Sequence, residues 1–128
     1  MREPVTIFAP SVVRLSILVV LLSTLGVAPL AADVRDDAKK QIEFGIAVAQ
    51  RGLWREAIYR WERAAQIDPT YAAAHNNLAI AYEHEGELDK ARAAYEKALE
   101  LEPTNTYIKQ NYELFKEIND RTTRADTL

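Results

Sequence analysis

The sequence predicts an all-α fold: a short right-handed α-solenoid of two helix-turn-helix repeats, closed by a C-terminal helix and preceded by an apolar N-terminal segment. One block of sequence occurs twice in succession, at 38–71 and 72–105, without insertion or deletion. Apolar residues in each copy recur at spacings of three and four, and a glycine stands at the same place before the second half of each copy. Such a strict period marks stacked supersecondary units rather than a core around a catalytic pocket.

Residues 1–32 are expected to be a secretory signal peptide. An apolar stretch from Leu15 to Val27 follows a weakly charged start and leads into small residues that end at Ala32. This order is typical of a signal peptide, and we expect cleavage after Ala32, with Ala31 as the alternative. An uncleaved membrane anchor stays open, because the apolar stretch approaches the roughly 17 residues that cross a bilayer. Either way we expect export to the bacterial periplasm or to the outer face of the inner membrane.

Each repeat is predicted to be a helix, a tight turn and a second helix. A short acidic lead-in at 33–37 precedes the first repeat. In the second copy Leu78 and Tyr82 share one stripe of the first helix, as residues four apart do. Gly52 and Gly86 hold the same place in the two copies. Glycine there can end a helix in the left-handed conformation without a steric cost.

Small and large side chains alternate where the two helices of a repeat cross. Ala57 and Ala91 are expected at the crossing, with Trp61 and Tyr95 filling the space one turn further on. Proline then closes each unit, since it lacks the N–H that would continue the helix. The sequence therefore predicts two closely packed helical hairpins.

These positions closely resemble the tetratricopeptide repeat. The residues that carry the resemblance are Gly52, Ala57, Trp61, Ala64 and Pro69 in the first copy and Leu78, Tyr82, Gly86, Ala91, Tyr95, Ala98 and Pro103 in the second. The resemblance covers residues 38–105. The first copy departs from the family at Gln41, where a tryptophan is common, and at Val48, where an aromatic is common.

The C-terminal segment is predicted to be a capping helix over 106–120, followed by a polar, frayed tail over 121–128. Ile108, Tyr112, Phe115 and Ile118 share one face. Since about three repeats are usually needed for independent stability, either this helix replaces a third repeat or the chain forms a homo-dimer.

The resemblance implies a concave groove, lined by the first helix of each repeat, that binds a protein or peptide partner. By register its positions are Lys39, Ile42, Glu43, Ile46 and Gln50 in the first copy, Ala73, Asn76, Asn77, Ile80 and Glu83 in the second, and Tyr107, Gln110 and Leu114 in the C-terminal helix. Ile80 holds the same place in the second copy as Ile46 in the first, which favours a partner with apolar side chains. The alternative is that both isoleucines only contact the neighbouring repeat.

Composition argues against most chemistry. There is no cysteine, which excludes disulfides and thiolate sites, and a net charge of -3 offers no basic surface for nucleic acid. His75 and His84 are nine residues apart, not the three or four that place two metal ligands on one helical face. All serines precede Ala32, so the mature chain has no serine nucleophile. We expect no catalytic residue, metal or cofactor.

Three functions are compatible with these observations. The leading hypothesis is a non-catalytic adaptor, secreted across the inner membrane, that binds a partner in the groove. The second is a self-assembling scaffold, in which the repeat edge near 37–44 packs on the C-terminal helix of another copy. The third is an accessory subunit of an enzyme or assembly complex.

Overall fold

Five helices make up the described part of the chain. A computed structural model describes the backbone of residues 28–126 and the side chains of residues 31–121. The helices are α1 (Ala28–Ala49), α2 (Trp54–Ile67), α3 (Ala72–His84), α4 (Leu88–Leu101) and α5 (Thr106–Asp126), with no strand between residues 28 and 126. Within this range no helix combines the length and the apolar character needed to cross a membrane. The expected signal peptide lies outside the described residues up to position 27, and 28–32 form the start of α1.

The two predicted hairpins are present, with turns of the same geometry. Gly52 and Gly86 have φ angles of 78° and 76°, in the left-handed region. The N–H of Gly52 donates to the carbonyl of Ala49 at 2.9 Å, and the next N–H donates to the carbonyl of Val48 at 3.1 Å. This pair of bonds is the glycine-terminated helix end that the sequence predicts. The acidic lead-in at 33–37 is helical and belongs to α1.

The core follows the predicted alternation of small and large residues. Ala57 and Ala91 are fully buried, and Trp61 and Tyr95 are nearly so. The indole N–H of Trp61 donates to the carbonyl of Ile42 at 3.1 Å, which ties α2 to α1. The alanines let the helix axes approach, and the aromatic rings fill the remaining space.

Helix α5 packs on α4 through an aromatic cluster. The ring of Tyr95 lies 5.5 Å from that of Tyr112 and 5.4 Å from that of Phe115, and Ile108 is also buried. Ile118, expected on the same face, is 48% exposed. Phe115 already contacts Arg92, one turn from the start of α4, so little of α4 remains to cover Ile118.

The C-terminal helix runs further than the sequence indicates. It ends at Asp126, whereas we expected a helix to 120 and a frayed tail beyond it. Arg121 pairs with Glu117 one turn earlier. Such a pair supports helical structure past the predicted end.

A buried carboxylate joins α1 to the connection between the repeats. The Asp68 side chain pairs with Nε of Arg35 at 2.6 Å and accepts hydrogen bonds from the backbone N–H and hydroxyl of Thr70. Burial alone would raise the pKa of Asp68, but the hydrogen bonds from Thr70 and the charge of Arg35 outweigh it and lower the pKa. Arg35 also stacks on the ring of Tyr71 at 4.3 Å.

Candidate functional site

An apolar cavity opens between the first helices of the two repeats. Its volume is about 300 Å³, and it is open to solvent on one side. Its lining comes from three helices and one turn: Ile46 and Ala49 of α1, Gln50 directly after α1, Trp54 and Trp61 of α2, and Asn77 and Ile80 of α3. We call this lining the repeat groove. Most of these side chains are apolar or aromatic, with two amides among them, a composition typical of sites that take up apolar side chains.

Trp61 forms the floor of the repeat groove. It is 3% exposed, and its hydrogen bond to Ile42 fixes the indole plane. An added Cβ at Gly45 would meet the indole nitrogen at 2.3 Å, so only glycine allows the ring this close to α1. The floor is therefore held in place by its contacts with α1.

Trp54 forms one wall and is itself covered by a histidine. The Trp54 and His84 rings stack with centroids 4.1 Å apart and planes inclined by 22°. Trp54 begins α2 and His84 ends α3, so this contact joins two successive repeats at the rim of the groove.

Polar contacts hold the neighbouring first helices side by side. The amide of Asn111 on α5 donates to Oδ1 of Asn76 on α3 at 3.2 Å, and Asn76 is buried. At the end of α3, Glu83 accepts a hydrogen bond from the Tyr95 hydroxyl at 3.2 Å. Burial, together with the charge of Glu83, raises the pKa of Tyr95, so the phenol stays a hydrogen-bond donor. α5 thus continues the row of first helices begun by α1 and α3.

The predicted groove residues lie in different parts of the structure. Ile46, Gln50, Asn77 and Ile80 come together in the repeat groove. Lys39 and Glu43 are exposed on α1, Ala73 and Glu83 are half-buried on α3, and Tyr107 and Gln110 are exposed on α5. Gln110 and Leu114 line a second cavity of about 430 Å³ along α5.

Two residues were wrongly predicted to lie on the surface of the groove. Ile42 is 5% exposed and belongs to the core, and Asn76 is buried against α5. Both hold the same place in their repeats, and this position is buried in each copy.

The aromatic part of the site was not predicted from the sequence. Trp61 was assigned only to the core, and neither Trp54 nor His84 was assigned to the groove. Trp54 and His84 are far apart in the sequence, and this separation hides their contact. The one available signal was an aromatic shortly after the turn glycine in the first copy alone.

Carboxylates and histidines in the described part of the chain form no group of three that could hold a metal ion. The repeat groove has no ionisable side chain in its lining.

Comparison with known proteins identifies the repeats. A family model described as tetratricopeptide repeat matches residues 72–105, and a second, described as TPR repeat, matches residues 45–86. The chain is 36% identical over 86 residues to the type IV pilus assembly protein PilF of Pseudomonas aeruginosa. The aligned segment covers 66% of this chain and 34% of that protein.

Two eukaryotic proteins are similar over comparable segments. Protein O-mannosyl-transferase TMTC4 of Mus musculus is 36% identical over 64 residues, which are 50% of this chain and 9% of that protein. The tetratricopeptide repeat domain-containing protein PYG7 of Arabidopsis thaliana, a chloroplastic protein, is 29% identical over 85 residues, which are 66% of this chain and 28% of that protein. The chain therefore spans between about a tenth and a third of the length of these relatives.

Proposed function

Because the chain is a tetratricopeptide repeat protein, we propose that it is a non-catalytic adaptor that binds a peptide or helix of a partner protein in the repeat groove. The observation that carries this proposal is the preformed apolar cavity between α1, α2 and α3, in which Ile46 and Ile80 flank Trp61. Stacked helical repeats offer such concave surfaces to extended or helical ligands.

The exposure of the isoleucines supports binding over a purely structural role. Ile46 is 41% exposed, although it faces an apolar cavity, and Ile80 is half-buried beside it. A residue that only joined two repeats would be covered by them. Apolar surface that stays open next to a rigid aromatic floor is the usual mark of an interaction site.

We place the adaptor in the cell envelope. The signal-peptide pattern in residues 1–32 supports export, and similarity to a protein named for type IV pilus assembly is compatible with it. Ala31, Ala32 and Asp33, which flank the expected cleavage site, are exposed at the start of α1. N-terminal sequencing of the protein from cells should give Asp33 as the first residue.

Self-stacking through the repeat edges has less support. The solvent-facing side of α5 carries Lys109 and Glu113 in exposed positions, and Glu113 pairs with Lys116 at 2.9 Å. A second copy packed there would remove these charges from water, which is costly unless each finds a new partner.

A side-by-side capture experiment tests the adaptor proposal. Full-length protein and its Ile46→Asp variant are immobilised side by side and exposed to the native envelope fraction. Leu88→Asp is the matched control, because Leu88 is 42% exposed and lies outside the groove. We expect a specific partner to be retained by the wild type and by Leu88→Asp and lost with Ile46→Asp, with helicity unchanged. Equal retention by all three proteins would reject the groove.

A further inference from the structure

Three aliphatic side chains occupy the same place in three successive first helices. Ile46, Ile80 and Leu114 follow one another at the period of the repeat, on α1, α3 and α5. Leu114 is 57% exposed and lines the cavity along α5. We call these three residues the aliphatic row. It extends the repeat groove beyond the two repeats that define it.

The packing of α5 supports this extension. The hydrogen bond between Asn76 and Asn111 places α5 beside α3 on the groove side. Ile108 and Phe115, three and four residues from Asn111, are buried on the adjoining flank of α5. Because that flank faces α4, the Leu114 side chain stays exposed to solvent, as the Ile46 side chain does on α1.

The charged residues one helical turn from the aliphatic row have one sign, although Lys109 and Glu113 also line the cavity along α5. On a helix, surface neighbours lie three and four residues away. At those spacings from Ile46, Ile80 and Leu114 the only formally charged residues are Glu43, Glu83 and Glu117, and none is lysine or arginine. Glu43 and Glu117 are exposed and Glu83 is half-buried.

The three glutamates differ in whether their negative charge is already paired within the chain. Glu117 pairs with Arg121 within α5, and Glu83 is held by the Tyr95 hydroxyl without being neutralised. Glu43 and Glu83 are therefore the two glutamates more available to a basic partner, with Lys39 one helical turn before Glu43 on α1.

We propose that the groove binds an amphipathic segment that combines an apolar stripe with lysine or arginine beside it. The apolar stripe lies on the aliphatic row and on Trp54 and Trp61, and the basic side chains meet the glutamates. This rests on the proposed groove function and adds the chemical class of the partner. An acidic amphipathic segment would bring like charges together, which disfavours it.

Intrinsic fluorescence gives a direct assay. The chain has two tryptophans, Trp54 and Trp61, and both line the groove. Full-length protein is titrated with a tryptophan-free leucine–lysine peptide of about 18 residues, or about five helical turns. A leucine–glutamate peptide with the same leucine positions is the control. We expect the tryptophan emission to shift with the lysine peptide, and this peptide to bind about tenfold more tightly than the glutamate peptide.

Two triple variants with the same change of charge test the cause. In Glu43→Gln/Glu83→Gln/Glu117→Gln the preference for the lysine peptide should fall to less than about threefold. The matched control changes three glutamates of α2 and α4: Glu62→Gln/Glu96→Gln/Glu100→Gln. Glu62 and Glu96 accept from tyrosine hydroxyls, as Glu83 does, so the control disturbs similar contacts away from the row. It should keep the full preference.

The outcomes separate this inference from the groove itself. Equal affinity for both peptides, or equal loss of preference in both triple variants, overturns the basic partner; the groove still stands if Ile46→Asp abolishes binding. If neither peptide shifts the emission and Ile46→Asp captures the same proteins as wild type, both proposals fail. Leu114→Asn should weaken the lysine peptide several-fold, and unchanged binding would remove α5 from the site.

Discussion

Gly45 is the position where the packing of the first repeat can be tested most sharply. An alanine there would place its Cβ 2.3 Å from Nε1 of Trp61 and 2.7 Å from its Cδ1. Trp61 is 3% exposed and hydrogen-bonded to Ile42, so the ring cannot move away without losing that bond. The second repeat has Ala79 in place of Gly45 and Tyr95 in place of Trp61. The larger residue on the first helix is thus matched by a smaller ring on the second.

The cost of Gly45→Ala combines three effects. Overpacking costs about 1–3 kcal/mol, and the lost indole hydrogen bond costs about 1 kcal/mol. The higher helix propensity of alanine returns about 1 kcal/mol. We therefore expect the free energy of unfolding to fall by about 2 kcal/mol, which is a fall in Tm of about 8–16 °C for a domain of this size.

Urea unfolding followed by far-UV circular dichroism measures this change. The pair Gly45→Ala/Trp61→Tyr copies the second repeat into the first, and its destabilisation should be smaller than the sum of the single changes by about 1 kcal/mol or more. A Gly45→Ala protein as stable as the wild type, or a double variant with additive costs, would refute the argument that glycine is needed for the Trp61 ring.

Three further predictions concern the turn, the carboxylate at the repeat junction and an unsatisfied amide. Gly86→Ala should cost about 1–2 kcal/mol through backbone strain alone, because an added Cβ meets nothing within 4 Å; Gly86→Asn should cost less in thermal unfolding, and equal costs would contradict a left-handed turn. The pKa of Asp68 is lowered below its ordinary value of 3.8, so its contribution to stability is present above about pH 4 and is lost as the pH falls through the folded-state pKa. Asp68→Asn should remove this part of the acid destabilisation in urea titrations between about pH 2 and pH 6, whereas an unchanged pH profile would show that the Thr70 hydrogen bonds and the Arg35 pair together contribute nothing. Gln41→Leu should raise the free energy of unfolding by about 1 kcal/mol, since Oε1 of Gln41 is buried without a hydrogen-bond partner; a loss of stability in denaturant unfolding would show that the amide is needed.

Local signals predicted the hairpins well. The left-handed glycines, the alanines at the helix crossings and the prolines each act within a few residues, so Gly52, Ala57 and Pro69 could be assigned from spacing alone. Ile42 and Asn76 could not, because their burial depends on which neighbouring helix covers them. The same holds for the contact between Trp54 and His84, which arises only when two repeats stack.

The groove residues were only partly predictable for a related reason. Register places Ile46 and Ile80 on one surface, and the structure brings them together. The aromatic floor could not be predicted from the sequence. Trp61 fills the core of the first hairpin, which the spacing indicates. Its second face borders the cavity only because two repeats pack together.

The central claim is that a partner protein occupies the groove between α1 and α3. Site-specific photo-crosslinking in the native host tests it most directly, with the photoreactive amino acid at position 46 and, as a control of matched exposure, at position 88. We predict one dominant crosslinked partner at position 46 that is absent at position 88 and disappears when Ile80→Asp is added. The same crosslinks at both positions, or none at position 46 in a folded protein, would contradict the account.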